Sequence, residues 1–330
     1  MMNDAAYMLR CLELAKKGRY NTSPNPRVGC VIVSSDQQIL GEGYHEVFGG
    51  PHAEVNAIRS VSSNQNMSNS TLYVNLEPCS HFGKTPPCAN LIIEMKIGRV
   101  VIGMQDPNPK VMGNGIRLLR DAGVEVITGV EENACRDLNK RFVWFHEKGS
   151  PYIVLKWAQS LDGFIGIEGQ RLPISGSLSN QIVHEWRAEE QAILIGKNTA
   201  LHDNPSLTVR HVKGRNPIRI VLCRENSLPS NLEIFTDGNP TYILHLHDEN
   251  MFEELSSFCR EKQILSILVE GGRYTLQKMI DAGWWNEARI ITNQQMKLNK
   301  GIHAPKLSNA NHISRTIQGN DLIDIYQHYA

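Results

Sequence analysis

Short apolar runs rich in β-branched residues alternate along this chain with stretches in which apolar positions recur every three or four residues. Residues 28–33, 71–76, 99–104 and 124–128 predict strands, and 52–59, 89–95, 116–122 and 131–145 predict helices. A second series follows, with strands at 152–158, 192–195, 218–223, 241–246, 264–269 and 288–292 and helices at 179–190, 251–262 and 274–282. Strands separated by helices imply βαβ units around largely parallel sheets covered on both faces. Between the two series stands Glu147-Lys148-Gly149-Ser150-Pro151, where Gly, Ser and Pro follow a helix end and predict a linker. The expectation is an α/β protein of two domains, residues 1–147 and 151–330. At the start, Ala5, Met8, Leu9, Leu12 and Ala15 share one helix face between Asp4 and Gly18, the pattern of a capped amphipathic helix and not of a secretion signal. Residues 62–70, rich in Ser and Asn, read as a solvent loop.

Charge narrows the class of partner. The 330 residues carry 34 Lys plus Arg against 34 Asp plus Glu, a formal charge of zero, which argues against a protein built to neutralise a nucleic-acid backbone. No apolar run approaches the roughly 20 residues that a membrane span needs. Seven cysteines is an odd number, in a chain too long to need disulfide staples, so a reduced, cytoplasmic protein is expected and clustered cysteines are candidate metal ligands.

The densest chemistry is Pro51-His52-Ala53-Glu54, followed by Glu77-Pro78-Cys79 and then Cys88. One imidazole and two thiolates are donors that Zn²⁺ prefers, and three protein ligands leave the fourth tetrahedral position open for water. Zinc acidifies such a water to a pKa of about 7. Glu54, two residues from His52, is placed to carry the water's proton to a leaving group, as in the zinc nucleobase deaminases with His-x-Glu and Pro-Cys-x-x-Cys. Here eight residues separate the cysteines, Ser80 to Pro87. A purely structural zinc site would want a fourth protein ligand, which His81 could supply.

The same region holds Asn25-Pro26-Arg27-Val28-Gly29, Gly41-Glu42-Gly43-Tyr44-His45, Leu76-Glu77-Pro78-Cys79-Ser80-His81, Gly83-Lys84-Thr85-Pro86-Pro87-Cys88 and Met104-Gln105-Asp106-Pro107-Asn108-Pro109. In this order, and with the stretched cysteine pair, it resembles the bifunctional deaminase–reductases of riboflavin biosynthesis. That resemblance implies a cytidine-deaminase-like α/β/α domain in which His52, Cys79 and Cys88 bind zinc, Glu54 is the proton donor and the loop at Asn25 holds a pyrimidine. Lys84 is a candidate cation for a substrate phosphate. In plainer terms Asn25-Pro26 is a turn and Gly29 a packing glycine.

The C-terminal half lacks a GxGxxG fingerprint, but an apolar strand runs into Glu270-Gly271-Gly272 and a helix, an arrangement that lets backbone N–H groups cradle a phosphate. The segments 152–163 and 196–210 resemble the reductase half of the same family. The resemblance implies a dihydrofolate-reductase-like α/β domain using NADPH, with Ala158, Thr199, Asp203 and Gly272 at the cofactor and Arg187, Leu207, Arg210 and Glu270 at the substrate. Lys156 and Asp203 are its candidate catalytic groups, and Arg187 and Arg210 suit a 5′-phosphate because a guanidinium fork matches its oxygens. Three positions depart from the family pattern: Asn204, where a second acid is common, Ser175-Gly176, and Pro173, where an aromatic residue is common.

The reading is a zinc- and NADPH-dependent enzyme that deaminates 2,5-diamino-6-(5-phosphoribosylamino)pyrimidin-4(3H)-one and then reduces the ribosyl side chain to ribityl. Its partner is that small molecule, not nucleic acid or membrane, and a homo-oligomer is expected for an enzyme of this type. The rival readings are a zinc deaminase of a base in RNA, which the neutral charge disfavours, and a non-catalytic zinc-stabilised binding protein, which would have no use for Glu54.

Overall fold

The structure, a computed structural model, describes residues 3–80, 87–109, 111–224, 228–246 and 249–329. It divides into two compact units, residues 1–149 and 150–330. His81 and Lys84 lie outside the described residues.

The first unit runs α1 (Asp4–Lys16), β1 (Gly29–Val33), β2 (Ile39–Tyr44), α2 (Ala53–Ser60), β3 (Thr71–Leu76), α3 (Cys88–Glu94), β4 (Arg99–Met104), α4 (Asn114–Asp121), β5 (Glu125–Thr128), α5 (Glu132–Leu138) and α6 (Lys140–Lys148). Its sheet has the order β2-β1-β3-β4-β5. Only β3, β4 and β5 are parallel; β1 pairs antiparallel with both β2 and β3, so the expected parallel sheet is a mixed one. The reason is local: β1 and β2 are joined too briefly for the helical crossover that parallel pairing requires. Asn3, not Asp4, caps α1, its Oδ1 accepting the Ala6 N–H at 3.0 Å. Asp4 sits instead in the first turn and binds Arg99 at 2.7 Å. The single helix predicted over 131–145 is two, broken at Asn139, whose Oδ1 accepts the Arg27 N–H at 2.8 Å and whose Nδ2 donates to the Arg27 carbonyl at 3.0 Å.

Apolar side chains on both faces of β1, β3 and β4 explain why these strands read as continuous hydrophobic runs. Cys30, Ile32, Val74, Ile92, Ile102 and Leu119 build one core layer, while Met8, Leu12, Val31, Tyr73, Val101 and Val143 build the other. Gly29 is the packing glycine of this second layer, because a Cβ there would lie 2.0 Å from the Cys11 carbonyl oxygen of α1. Gly29→Ala is therefore expected to cost about 3 kcal/mol, the upper part of the usual overpacking range. Urea unfolding of the first unit measures it, and an unchanged midpoint would refute the packing argument.

The second unit runs β6 (Tyr152–Ser160), β7 (Phe164–Gly166), α7 (Ser177–Glu189), β8 (Ala192–Gly196), α8 (Lys197–Asp203), β9 (Ile218–Leu222), α9 (Glu233–Thr236), β10 (Thr241–Leu244), α10 (Met251–Lys262), β11 (Ser266–Val269), α11 (Arg273–Asp281), β12 (Glu287–Asn293), β13 (Ile302–His303), β14 (Ala310–Gln318) and β15 (Asp321–His328). Eight strands form one sheet in the order β10-β9-β8-β11-β6-β12-β15-β14. The first six are parallel, and β15 and β14 close that side as an antiparallel hairpin. Ile153, Leu155, Leu194, Ile267, Leu276 and Met279 lie in the core between this sheet and its helices. Parallel strands aim their C-terminal ends the same way, and crevices at such ends are where open α/β sheets take ligands. No helix among the described residues is long and apolar enough to cross a membrane.

Candidate functional site

In the first unit, three candidate donors converge from three elements. His52 occupies the N-cap position of α2, Cys79 follows the end of β3, and Cys88 opens α3. His52 Nδ1 lies 3.6 Å from Cys79 Sγ and 3.4 Å from Cys88 Sγ. A tetrahedral ion with Zn–N and Zn–S bonds of about 2.0 and 2.3 Å sets its nitrogen and sulfur ligands about 3.5 Å apart, so these donors fit zinc. The Cys88 N–H at the start of α3 also donates to Cys79 Sγ at 3.3 Å. Hydrogen bonding from the Cys88 thiol, and from His52, holds Cys79 low, at about 4, against the opposing effect of burial. The Cys88 thiol is correspondingly pushed up, because it donates to the Cys79 sulfur and is buried.

Glu54 stands in the first turn of α2 and is buried, with 4% of its surface exposed. Burial, and then the Cys79 thiolate, push its carboxyl up to about 7, while His52 pulls the other way. A carboxyl that exchanges its proton near neutrality, beside a three-donor set, is equipped for proton transfer rather than for a fourth ligand bond.

Asn25 donates through Nδ2 to His45 Nε2 at 3.1 Å, and His45 Nδ1 binds the Pro51 carbonyl at 2.9 Å. The carbonyl must accept, so Nδ1 carries the proton and Nε2 is the acceptor. Burial lowers the His45 pKa and keeps the ring neutral. Its ring meets that of His52 edge-on, with centroids 5.6 Å apart. His45 therefore links the loop at Asn25 to the His52–Cys79–Cys88 donor set, a link no spacing revealed.

Glu77, two residues before Cys79, is a structural support. Oε1 accepts the Gly115 and Ile116 N–H groups at 2.9 and 3.3 Å, and Oε2 accepts those of Gly113 and Asp106 at 3.0 and 3.2 Å. A buried carboxylate thus satisfies the first turn of α4 and fixes the chain that enters Cys79.

In the second unit a cleft of about 1160 Å³ opens at the C-terminal ends of the parallel strands, its wall including Arg187, Thr199, Asp203, Leu207, Glu270 and Gly272. Glu270, at the end of β11, is gripped by Arg187 through Nε at 2.8 Å and Nη2 at 2.9 Å, and by Lys156 Nζ at 3.4 Å. Burial alone would raise Glu270, but Arg187 and Lys156 outweigh it and hold the carboxyl at about 2. The Arg187 fork, expected at a phosphate because its geometry matches one, is engaged by Glu270. Asp203 closes α8 half-buried, and burial raises its pKa against the pull of Arg171 and His202. Leu207 is buried at 3% exposure with φ 53°, a left-handed backbone that non-glycine residues adopt mainly where surrounding structure compels it.

Arg210 is exposed and outside the cleft wall, bound to Ser206 Oγ at 3.1 Å. Ala158 lies on β6 opposite Ile291 of β12, also outside that wall. Asn204, at φ 38°, ends α8 and accepts the Glu233 N–H at 2.8 Å, a turn-forming role that an amide fills well. Pro173 lines the cleft, and Ser175 Oγ donates to Asn180 Oδ1 at 3.0 Å.

The residues of the cleft fit a dinucleotide. A Cβ on Gly271 would press on the backbone of Gly196 at 3.2 Å, so neighbouring strand ends meet without side chains. Thr199 Oγ1 accepts the Gly272 N–H at 2.9 Å, and α11 begins against the cleft with its first-turn residues in the wall.

Residues 1–104 match the cytidine and deoxycytidylate deaminase zinc-binding region, and residues 151–293 match the RibD C-terminal domain. The riboflavin biosynthesis protein RibD of Aquifex aeolicus is 39% identical over 309 residues, covering 87% of this chain and 85% of that protein. RibD of Escherichia coli is 40% identical over 263 residues, covering 76% and 71%. Among solved structures, form 1 of Acinetobacter baumannii RibD is similar with a TM-score of 0.91 at 30% identity, covering 99% of each chain. A diaminohydroxyphosphoribosylaminopyrimidine deaminase/5-amino-6-(5-phosphoribosylamino)uracil reductase from Thermotoga maritima is similar with a TM-score of 0.89 at 34% identity, again covering 99% of each.

Proposed function

Because this chain belongs to the RibD family of riboflavin biosynthesis proteins, we propose how its own residues divide the work of that family's two reactions. The enzyme is a bifunctional zinc-dependent deaminase and NADPH-dependent reductase of riboflavin biosynthesis. The observation that carries the assignment of residues is the His52–Cys79–Cys88 donor set with buried Glu54 beside it.

His52, Cys79 and Cys88 would hold zinc, which would supply the Lewis acidity that makes water a nucleophile at neutral pH. Glu54 takes the proton released from the attacking water and returns it to the departing amino group, which leaves as ammonia. Asn25, oriented by His45, holds the pyrimidine. The substrate is 2,5-diamino-6-(5-phosphoribosylamino)pyrimidin-4(3H)-one, and the deaminated product is the substrate of the second reaction.

NADPH bound in the second unit would supply the hydride for reduction at C1′ of the opened ribose. Thr199, Asp203 and Gly272 of the cleft wall would line the cofactor, and Arg187, Leu207 and Glu270 the substrate, while Ala158 and Arg210, expected there by resemblance, stand outside that wall. Lys156, bonded to Glu270, would polarise the sugar oxygen as the ring opens, and Asp203 would sit close to the transfer. Work as a homo-oligomer in the cytoplasm belongs to the same proposal. None of the seven cysteines is joined in a disulfide, which supports a reducing compartment.

The test follows both reactions at once, with zinc-replete protein and the ribosylamine phosphate. Ammonia is expected first, and NADPH absorbance is then expected to fall by an equal molar amount. Ammonia without NADPH loss would remove the reductase assignment; silence in both channels would remove both.

A further inference from the structure

Residues 204–210 belong to no helix or strand, yet they carry Leu207 into the cleft wall on a left-handed backbone. Hydrogen bonds to α7 hold that backbone in place. Arg187 Nη1 donates to the Thr208 carbonyl at 3.4 Å, and the Arg210 N–H donates to His184 Nδ1 at 3.3 Å. The Val209 N–H between them goes to Asn216 Oδ1 at 2.8 Å. In an extended chain the carbonyl of one residue and the N–H two residues on share a side, and the residue between faces the other way. Residues 208–210 thus meet α7 as they would meet a neighbouring strand, with one donor and one acceptor supplied by side chains. His184 and Arg187 stand three apart on that helix and so lie on one face. His184 is 4% exposed. A ring nitrogen that accepts an N–H carries no proton, so Nε2 is the protonated nitrogen and the imidazole is neutral. Burial, then Arg187, His211 and Arg210, hold its pKa down at about 4 against the pull of the Thr208 carbonyl. The His211 ring meets it edge-on, with centroids 4.6 Å apart.

We propose that His184 is a positioning residue for reduction: by accepting the Arg210 N–H it fixes residues 207–210 against α7 and so keeps Leu207 in the wall that receives the ribosyl substrate. The inference rests on the reductase reading above. His184 is itself outside the described cleft wall and acts through the segment it holds. Leu207 has a conformation that a branched side chain avoids unless its neighbours impose it. Without the imidazole acceptor one of the two bonds to α7 is lost, and the Leu207 backbone relaxes toward its ordinary region for part of the time. Substrate then binds only the fraction of molecules whose wall is formed, which raises its apparent dissociation constant by the inverse of that fraction. Complexes that do form have the same reacting groups, so kcat is unchanged while KM rises.

The experiment compares His184→Asn with His184→Gln in the full-length, zinc-replete protein. The amide oxygen of Asn can stand where Nδ1 stands, whereas that of Gln stands one bond further out, where Nε2 stands. Both replacements are polar and neutral, so they differ in where the acceptor lies. Reduction of 5-amino-6-(5-phosphoribosylamino)uracil is followed by NADPH absorbance. His184→Gln is expected to raise the KM of that substrate about 10-fold, the scale of one buried N–H left without its partner. Its kcat and its KM for NADPH are expected to stay within about twofold of the wild type, and His184→Asn is expected to restore most of the substrate KM. Amide hydrogen exchange reads the same segment without turnover: Arg210 should be protected in the wild type and in His184→Asn, and exposed in His184→Gln. Equal substrate KM in all three proteins would overturn the proposal. So would a His184→Gln variant that loses kcat alone or loses NADPH equally, because those mark the chemistry or a general loosening of the cleft. Rapid exchange of the wild-type Arg210 amide would overturn it whether or not either variant folds. A wild type that oxidises no NADPH yet protects Arg210 would remove the reductase reading, and with it the role assigned to His184, while leaving the bond to α7 in place.

Discussion

Glu54→Gln is expected to lower ammonia release by about 10⁴-fold while zinc content, melting temperature and NADPH binding stay as in the wild type. General acid–base groups contribute about 10²- to 10⁴-fold, and the upper end applies because one carboxyl serves both the water and the leaving group. The amide has the same shape and can neither take nor return a proton. Folding should tolerate it, since the carboxyl is buried and already poised to be neutral near pH 7. The decisive measurement is ammonia release on protein whose zinc has been assayed. Release at the wild-type rate by a zinc-loaded variant would remove Glu54 from the chemistry, whereas loss of zinc would make it a support for the metal.

Glu270→Gln should have the larger effect on stability. Arg187 and Lys156 converge on this buried carboxylate, with side-chain exposures of 13%, 13% and 9% for Arg187, Lys156 and Glu270. Removing the one negative charge leaves two buried cations facing each other, and breaking a buried pair in this way costs about 3–5 kcal/mol. The second unit is expected to unfold at lower urea, and NADPH oxidation to be lost with ammonia release retained. The pH dependence has a definite sign. Glu270 is held at about 2 in the fold, against about 4.3 in an unfolded chain. Its contribution is therefore complete above the unfolded value and disappears as pH falls toward 2. Wild-type stability of this unit should fall across that window, and the variant should show a shallower fall. A variant as stable as the wild type at pH 7 would mean that the cations find other partners.

What was legible in the chain was what local pattern determines. Strands buried on both faces, such as β1, β3, β8 and β11, appear as uninterrupted apolar runs. β2 was missed because Gly41 and Gly43 interrupt it. They stand there because α2 lies directly on the strand, and a Cβ on Gly43 would come within 2.2 Å of the Ala57 nitrogen. β14 was missed because its edge position leaves most of it exposed, with no alternation to read. The convergence of His52, Cys79 and Cys88 was legible because one short motif carries His52 and Glu54 and a second carries Cys79 and Cys88. The supports of both sites were not. Glu77 meets Ile116 across 39 residues and Arg187 meets Glu270 across 83, and no periodicity encodes such partners.

Asn139 sets a limit on how short a working deaminase fragment can be made. A chain cut at Met104 would keep His52, Glu54, Cys79 and Cys88. It would lose Asn139, whose side chain grips both the N–H and the carbonyl of Arg27, two residues from Asn25. It would also strip Cys135 and Val143 from the face they share with Leu76 and Val101. For anyone trimming this enzyme, the useful excision point lies beyond the end of α6, and the catalytic motifs alone are a poor guide to it.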